Sequence, residues 1–149
     1  MSDYKTYEVK VWADGTKRWY LHGERHREDG PAYEHPSGYK KWYLNGELHR
    51  EDGPAIENAD GTKEWFLYGE YHREDGPAIE YSDGTKEWYL NGEHHREDGP
   101  AIEYSDGTKE WFLHDEELTE EEHRQHTAKQ PCNGKIVEID GIKYKLTEV

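Results

Sequence analysis

The chain has 149 residues, with 36% charged and 32% hydrophobic side chains and a formal net charge of −15. Its 34 acidic residues outnumber its 19 Lys and Arg residues, which argues against direct binding to nucleic acids or anionic membranes, because both attract clustered cations. No apolar run approaches the ~20 residues of a membrane-spanning helix, and we expect a cytoplasmic protein.

The aromatic residues indicate a single folded unit, although the composition lies near the border of disorder. Six tryptophans and twelve tyrosines are present, and each can bury about 150–250 Å² when packed. Cys132 is the single cysteine, so it cannot form an internal disulfide. This agrees with a reducing intracellular compartment.

One seven-residue motif, His-Arg-Glu-Asp-Gly-Pro-Ala, recurs every 23 residues, at 26–32, 49–55, 72–78 and 95–101. A tryptophan followed by an aromatic residue and a leucine keeps the same step, at Trp19, Trp42, Trp65, Trp88 and Trp111. Self-similarity at a fixed period of this length is typical of a repeat array. Residues 1–114 are therefore predicted to form tandem repeats.

The first predicted element is an entry strand that precedes the first complete repeat. It contains Tyr4, Tyr7, Val9 and Val11, and aromatic and β-branched residues favour strands. Trp12 follows at the repeat position that Tyr81 holds later. A distinct entry is expected because the first unit of an array has no neighbour on one side.

Each repeat is predicted to contain a β-hairpin, as the third repeat illustrates. Residues 78–81 and 85–90 are rich in β-branched and aromatic residues, and Ser-Asp-Gly between them is a tight-turn signal.

Alternation along the strands then predicts which side chains share a face. Ile79 and Tyr81 lie on one face of the first strand, and Lys86, Trp88 and Leu90 lie on one face of the second. We expect Ile, Tyr, Trp and Leu to form a common core face, with the tryptophans stacked along it.

A turn and a corner follow each hairpin. Asn91-Gly92 is a turn signal, and the corner Asp98-Gly99-Pro100 starts the next hairpin because proline cannot donate to a sheet ladder. The corner glycines fit turn positions. The predicted fold is mainly β: an elongated single-layer antiparallel sheet of tandem hairpin repeats, joined edge to edge and followed by a short helix and a β-hairpin cap.

Residues 115–149 differ in character and are predicted to form this C-terminal cap. Thr119 and Glu122 match a capping box, so a short helix should run toward Lys129. Residues 135–139 and 142–146 should then pair as a hairpin around Asp-Gly. The cap is expected to cover the last repeat, whose apolar edge would otherwise be open to another chain.

The stretch from Trp88 to Gly107 combines Trp-x-x-Asn-Gly, the His-Arg-Glu-Asp-Gly corner and Tyr-x-Asp-Gly. It resembles the MORN repeat (membrane occupation and recognition nexus), which has about 23 residues with a Trp, Asn-Gly, His-Gly and Asp-Gly framework. The unit is more closely similar to repeat proteins encoded by bacteriophages and bacteria. The resemblance covers about residues 7–114 and implies antiparallel hairpins, roles in binding and scaffolding, and no catalytic residue.

The sequence departs from the MORN pattern at the corner. The usual motif has a glycine directly after its histidine, whereas Arg50, Glu51 and Asp52 precede Gly53 here. Corner geometry therefore need not follow the family. We interpret the repeated His-Arg-Glu-Asp set as scaffold, with arginine and the acids bridging adjacent repeats.

Metal and catalytic interpretations of the same residues have little support. Equivalent histidines of successive repeats are expected roughly 10 Å apart, too far for two of them to share one zinc ion easily. Cys132 beside a Pro-Asn-Gly turn, with His123 or His126 as a base, is more often an incidental thiol. We predict no metal site, no cofactor and no enzymatic activity.

Recognition is expected where the repeats differ. The position before the repeat histidine holds Arg25, Leu48, Tyr71 and His94, and the position after the repeat leucine holds His22, Asn45, Tyr68, Asn91 and His114. Apolar and aromatic residues in polar loops are typical of contact patches. The predicted partner-binding residues are therefore Leu48, Tyr68, Tyr71 and His94.

The sequence thus predicts a non-enzymatic module of phage or bacterial origin that binds a partner protein through its repeats. The alternative is an acidic mimic of nucleic acid that inhibits a host nucleic-acid-acting or defence enzyme, because Glu57, Glu80 and Glu103 recur along the array. Plain solubility also explains the acidity. Sheet edges offer a route to homo-oligomers.

Overall fold

The structure, a computed structural model, describes residues 6–128, 136–139 and 142–145. The strands of the first half are β1 (Glu8–Val11), β2 (Lys17–Leu21), β3 (Glu24–Arg25), β4 (Tyr33–Glu34), β5 (Lys40–Lys41), β6 (Tyr43–Leu44), β7 (Glu47–Leu48), β8 (Ile56–Glu57), β9 (Lys63–Glu64) and β10 (Phe66–Leu67). Those of the second half are β11 (Glu70–Tyr71), β12 (Ile79–Glu80), β13 (Lys86–Glu87), β14 (Tyr89–Leu90), β15 (Glu93–His94), β16 (Ile102–Glu103), β17 (Lys109–Leu113), β18 (Glu116–Leu118), β19 (Ile136–Ile139) and β20 (Ile142–Lys145). A helix, α1 (Glu120–Thr127), lies between β18 and β19.

One long antiparallel sheet runs through all the repeats. Its strand order is β1–β2–β4–β5–β8–β9–β12–β13–β16–β17–β18, and β3 pairs with β2 beside this path. The pairs β9 with β12 and β13 with β16 join successive repeats edge to edge. The prediction of a mainly β fold built from tandem antiparallel hairpins is confirmed.

The central repeats also contain a second, shorter hairpin, formed by β6–β7, β10–β11 and β14–β15. The strand predicted over residues 85–90 is accordingly split at Trp88 into β13 and β14. The Trp88 N–H donates to Ala101 O at 2.8 Å, and Trp88 O accepts from the His95 N–H at 3.1 Å. The tryptophan backbone thus bonds to the next repeat and to its own corner, which separates the two hairpins.

The turn of each long-sheet hairpin has the same hydrogen bond from repeat to repeat. The Tyr81 N–H donates to Thr85 O at 2.9 Å, and the Trp12 N–H donates to Thr16 O at 2.9 Å. Trp12 therefore occupies the repeat position of Tyr81, as predicted. The entry strand is confirmed over Glu8–Val11 as β1, which leaves out Tyr7; Tyr4 lies outside the described residues.

The predicted common face of Ile, Tyr, Trp and Leu is wrong. Ile79 faces Glu87, and Glu80 faces Lys86, so Ile79 lies on the side of the sheet opposite to Lys86 and to Trp88. The register is set by the turn between the two strands, which alternation within a single strand cannot specify.

The buried core consists of small and branched side chains rather than tryptophans. The alanines that end the corners are completely buried and the isoleucines that follow three of them nearly so: Ala32, Ala55, Ala78 and Ala101, with Ile56, Ile79 and Ile102. In one cluster Ala55 and Ile56 pack with Phe66, and Trp42 and Leu48 lie at its edge. The repeat tryptophans are half-buried, and an arginine lies over the ring of Trp19, Trp42, Trp65 and Trp88.

The C-terminal helix begins as predicted. The Glu122 N–H donates to Thr119 Oγ1 at 3.2 Å, and the Thr119 N–H donates to Glu122 Oε2 at 2.9 Å. This reciprocal pair satisfies two N–H groups that would otherwise lack partners at the helix start. The helix ends at Thr127.

The helix packs against the last repeat through β17 and β18. His123 is buried on it, and its Nε2–H donates to Arg96 O at 2.6 Å. Beyond the helix, β19 and β20 pair antiparallel with Ile136 opposite Lys145, which confirms the predicted hairpin. The predicted strand ends at 135 and 146 and the turn between the strands lie outside the described residues.

Candidate interaction surface

Each corner is organised by its arginine. The Arg73 guanidinium lies 4.0 Å from the centre of the Trp65 ring. It donates to Asp75 Oδ1 at 2.8 Å, to Pro77 O at 3.1 Å and to Glu80 Oε1 at 3.0 Å. The bond from Arg73 holds the pKa of the Asp75 carboxyl below its ordinary value. We call this set a corner cluster.

Corner clusters with the same contacts occur at all four motifs, with the arginine and tryptophan pairs Arg27–Trp19, Arg50–Trp42, Arg73–Trp65 and Arg96–Trp88. Charge-assisted hydrogen bonds and a cation–π contact are thereby combined in one side chain. The interpretation of the motif as scaffold is supported by this geometry, since arginine joins the strand before the corner to the strand after it.

The corner glycine is required for space and not for a left-handed backbone. Gly76 does not have a positive φ. A Cβ placed on Gly76 would lie 2.9 Å from Arg73 Cζ. Any side chain at this position would therefore push the guanidinium away from its partners.

The repeat histidine makes the contact to the next repeat. His49 Nδ1 accepts from the Tyr68 N–H at 3.2 Å, and His72 Nδ1 accepts from the Asn91 N–H at 3.1 Å. The same bond joins His26 to Asn45 and His95 to His114. Because Nδ1 accepts, the neutral tautomer with hydrogen on Nε2 is the one that fits. These histidines therefore have a structural role, because each one links two successive repeats.

Three open grooves lie between successive corners, and we call them together the groove row. The middle groove has a volume of about 650 Å³, with Trp65 and Leu67 in its floor and the corners at 50–53 and 72–75 as its walls. Its neighbours, of about 800 and 660 Å³, contain Trp42 and Trp88 at the same place. Successive grooves are spaced by two strands, or about 10 Å.

The rim of the groove row is acidic. The side chains of Asp52 and Asp75 are 85% exposed, and Glu51 and Glu74 are also largely exposed. Each arginine, by contrast, is mostly covered and is bonded to carboxylates within its corner cluster. A molecule that approaches the groove row therefore encounters carboxylates at the rim and an apolar tryptophan floor.

Side chains of the short hairpins β10–β11 and β14–β15, together with Phe112 of β17, form a continuous stack. Ring centres are separated by 4.1 Å for Phe66–Tyr71, 5.0 Å for Tyr71–Tyr89, 4.0 Å for Tyr89–His94 and 5.2 Å for His94–Phe112. We call these five residues the aromatic column. It is continued toward the N-terminus by Leu48, which packs against the same cluster as Phe66 and Tyr71.

Half-buried carboxylates support the aromatic column. The Tyr71 hydroxyl donates to Glu64 Oε2 at 2.8 Å, and the Tyr89 hydroxyl donates to Glu87 Oε2 at 2.9 Å. Burial and the bond to Glu64 raise the pKa of Tyr71 above its ordinary value. The hydroxyl groups therefore stay protonated and act as donors.

The structure separates the four predicted partner-binding residues into two environments. Leu48, Tyr71 and His94 are half-buried in short strands, where each lies between aromatic side chains of neighbouring hairpins. Tyr68 is 67% exposed at a turn. Sequence reasoning missed the column because its members alternate between two positions, the residue after the tryptophan and the residue before the histidine.

Tyr68 shares its left-handed backbone with its four equivalent turn residues. Its φ is 51°, and φ is 53° at His22, 50° at Asn45, 52° at Asn91 and 52° at His114. Asparagine tolerates this region better than tyrosine does. The Tyr68 ring packs on His49 with ring centres 4.5 Å apart, and His49 lines the first groove. Tyr68 therefore borders the groove row.

Neither a metal site nor a membrane-spanning helix is found in the part of the chain that the structure describes. There, no three His, Cys, Asp or Glu side chains are arranged so that they would hold a metal ion. No helix in these residues combines the length and the apolar character needed to cross a membrane. Cys132 lies outside the described residues.

No family model matches the chain, and no curated protein matches it. The resemblance to MORN repeats therefore depends on the motifs themselves and stays a prediction.

Proposed function

We propose that the array is a non-enzymatic module that binds a partner protein along the groove row, with Tyr68 as an anchor. The exposed Tyr68 ring carries this proposal. A left-handed backbone costs most residues about 1–2 kcal/mol, but His22 and His114 share it, so the backbone alone does not single out Tyr68. Its side chain is 67% exposed and packs on His49, which lines one of the grooves.

The surroundings of Tyr68 support the same function. Its exposed ring borders grooves that have tryptophan floors, and aromatic anchors beside pockets carry much of the energy of protein interfaces. The exposed carboxylates of the rim favour a basic partner surface and would speed its approach. The resemblance to phage and bacterial repeat proteins favours a partner in the bacterial cytoplasm.

The substitution Tyr68→Asn tests this function because it separates binding from folding. It copies the residue present at positions 45 and 91, so we expect the fold to become more stable by about 0.5 kcal/mol. Partner capture from bacterial lysate should fall at least tenfold, measured by quantitative mass spectrometry of proteins retained on the immobilised full chain.

Tyr104→Asn is the matched control. Tyr104 is an exposed tyrosine in a long-sheet turn, and the equivalent turn position in another repeat holds Asn58, which makes the same hydrogen bond. A genuine partner should be retained by wild type and Tyr104→Asn and lost with Tyr68→Asn. Equal retention by all three chains would contradict Tyr68 as the anchor.

A second candidate function is mimicry of nucleic acid by the acidic rim. The exposed carboxylates of the corners recur along one edge at a step of about 10 Å, whereas Glu80 and Glu103 are bonded to arginines. The exposed Glu51 and Glu74 are therefore the residues to neutralise.

The joint substitution of Glu51 and Glu74 by Gln distinguishes the two functions. Under mimicry, the variant should lose binding, added salt should do the same, and duplex DNA should compete for the partner. For an anchored protein interface, the variant should mainly slow association and change its salt dependence. Surface plasmon resonance at two salt concentrations measures both.

A further inference from the structure

The two ends of the long sheet differ in how their outermost strands are paired. At the C-terminal end β17 pairs with β18, and α1 packs against both. At the other end β1 pairs with β2 on one side, and among the described residues no strand pairs with its other side. Free N–H and C=O groups on such an edge are a template for another strand.

Exposed apolar side chains accompany this edge. Val9 and Val11 are 46% and 65% exposed, and every residue of β1 is exposed. We propose that β1 pairs antiparallel with β1 of a second copy of this chain, so that the long sheet continues across a two-fold axis. This inference is independent of the proposed function.

The two-fold axis restricts the register. A two-fold axis perpendicular to the sheet keeps each face of the sheet continuous across the dimer. Directly opposite residues of paired strands point to the same face, so the axis must pass through one residue, which pairs with the same residue of the second copy. Only an axis through Val9 or through Lys10 allows three of the four residues of β1 to pair with residues of β1 in the other copy. An axis at Lys10 would set two ammonium groups opposite each other, which is unfavourable.

The axis at Val9 gives complementary contacts on both faces. On one face Glu8 lies opposite Lys10 of the partner subunit, and the symmetry repeats this pair. Glu8 and Lys10 lie on the same face within one chain as well, with Nζ and Oε1 3.4 Å apart. On the other face Val9 meets Val9 of the partner subunit, and Tyr7 lies opposite Val11 of the partner subunit. Charge and apolar contact therefore select one register.

Charge reversals in the full chain test this register. A single short strand per copy makes a small interface, so we expect a weak dimer that is populated above about 100 μM. Sedimentation velocity over a concentration series should show it. Glu8→Lys and Lys10→Glu, each alone, should weaken the dimer on the order of tenfold, because each sets like charges opposite each other twice.

Mixing the two variants is the decisive measurement. A Glu8→Lys chain presents two lysines and a Lys10→Glu chain presents two glutamates, so the mixture should recover wild-type association as a heterodimer, detected by native mass spectrometry. Glu74→Lys makes the same charge change far from β1 and should leave the dimer unchanged. A wild-type monomer at all concentrations, single variants that dimerise normally, or a mixture that stays monomeric would each overturn the proposal.

Discussion

The corner clusters and the aromatic column occupy different parts of each repeat and follow different rules. Every corner cluster contains the same residues, because one arginine bonds two carboxylates and a carbonyl while it covers a tryptophan. The corresponding positions of the column hold Arg25, Leu48, Tyr71 and His94. At these positions a side chain need only fill the space between two rings, so several residue types are compatible with the fold. Identity among repeats therefore marks demanding geometry.

The largest expected effect is the loss of a corner tryptophan. Trp65→Ala should lower the free energy of unfolding by about 3 kcal/mol, since it removes the floor of a corner cluster. Trp12→Ala is the control, because Trp12 lies outside the corner clusters and is more exposed. Its effect in urea denaturation should be clearly smaller. Equal losses would remove the distinction between corner tryptophans and others.

The next largest effect tests whether the corner glycine is required because a larger residue would displace the arginine. Arg73→Ala should cost about 2 kcal/mol, through lost charge-assisted hydrogen bonds and cation–π contact. Gly76→Ala should cost about 1 kcal/mol in wild type, because the added Cβ displaces the guanidinium. In the Arg73→Ala background the glycine substitution should cost almost nothing. Additive losses in this double-mutant cycle would contradict the space requirement.

The aromatic column should tolerate changes that the corners do not. Tyr71→Leu copies Leu48 and should cost less than about 1 kcal/mol, whereas Tyr71→Ala leaves a gap and should cost about 2 kcal/mol. Thermal unfolding followed by circular dichroism measures both. If Tyr71→Leu were as harmful as Tyr71→Ala, the column would be as demanding as the corners.

The smallest expected effect is a pH dependence at the histidine between the last two repeats. Burial, followed by the charge of nearby His114, lowers the pKa of His95 below its ordinary value of 6.5. The unfolded chain then binds the proton more readily, so this contribution to stability is complete above pH 6.5 and is lost as the pH falls below it. Protonation of Nδ1 also removes its bond to the His114 N–H.

His95→Asn provides the control for this pH dependence. An asparagine oxygen can take the place of the Nδ1 acceptor without titrating. The urea midpoint of the variant should change less between pH 7 and pH 5 than that of wild type. An identical pH profile would show that His95 makes no contribution.

Local sequence signals predicted the elements of the fold because their causes are local. Tyr81 to Thr85 forms the predicted tight turn, and Thr119 with Glu122 forms the predicted capping box. The predicted core face was wrong because the register across the turn, and not alternation, set Ile79 opposite Glu87.

Less of the candidate site than of the fold could be predicted from the sequence. Tyr68 was singled out as a variable aromatic residue, and the structure adds its left-handed backbone and its place beside the groove row. Leu48, Tyr71 and His94 were singled out by the same variability, but their position inside a stack depends on hairpins 23 residues apart being adjacent. Whether any of the four binds a partner stays a prediction.

The sequence by itself determined the period of the array, the hairpins, the corners and the helix start, because each depends on bonds within a few residues. Only the tertiary structure decided what the repeated residues do. The bond from the Asn91 N–H to His72 joins residues 19 positions apart, and the Arg73 guanidinium meets Trp65 only after the chain has turned at the corner. Such contacts depend on how one repeat lies against the next, and no local pattern specifies that arrangement.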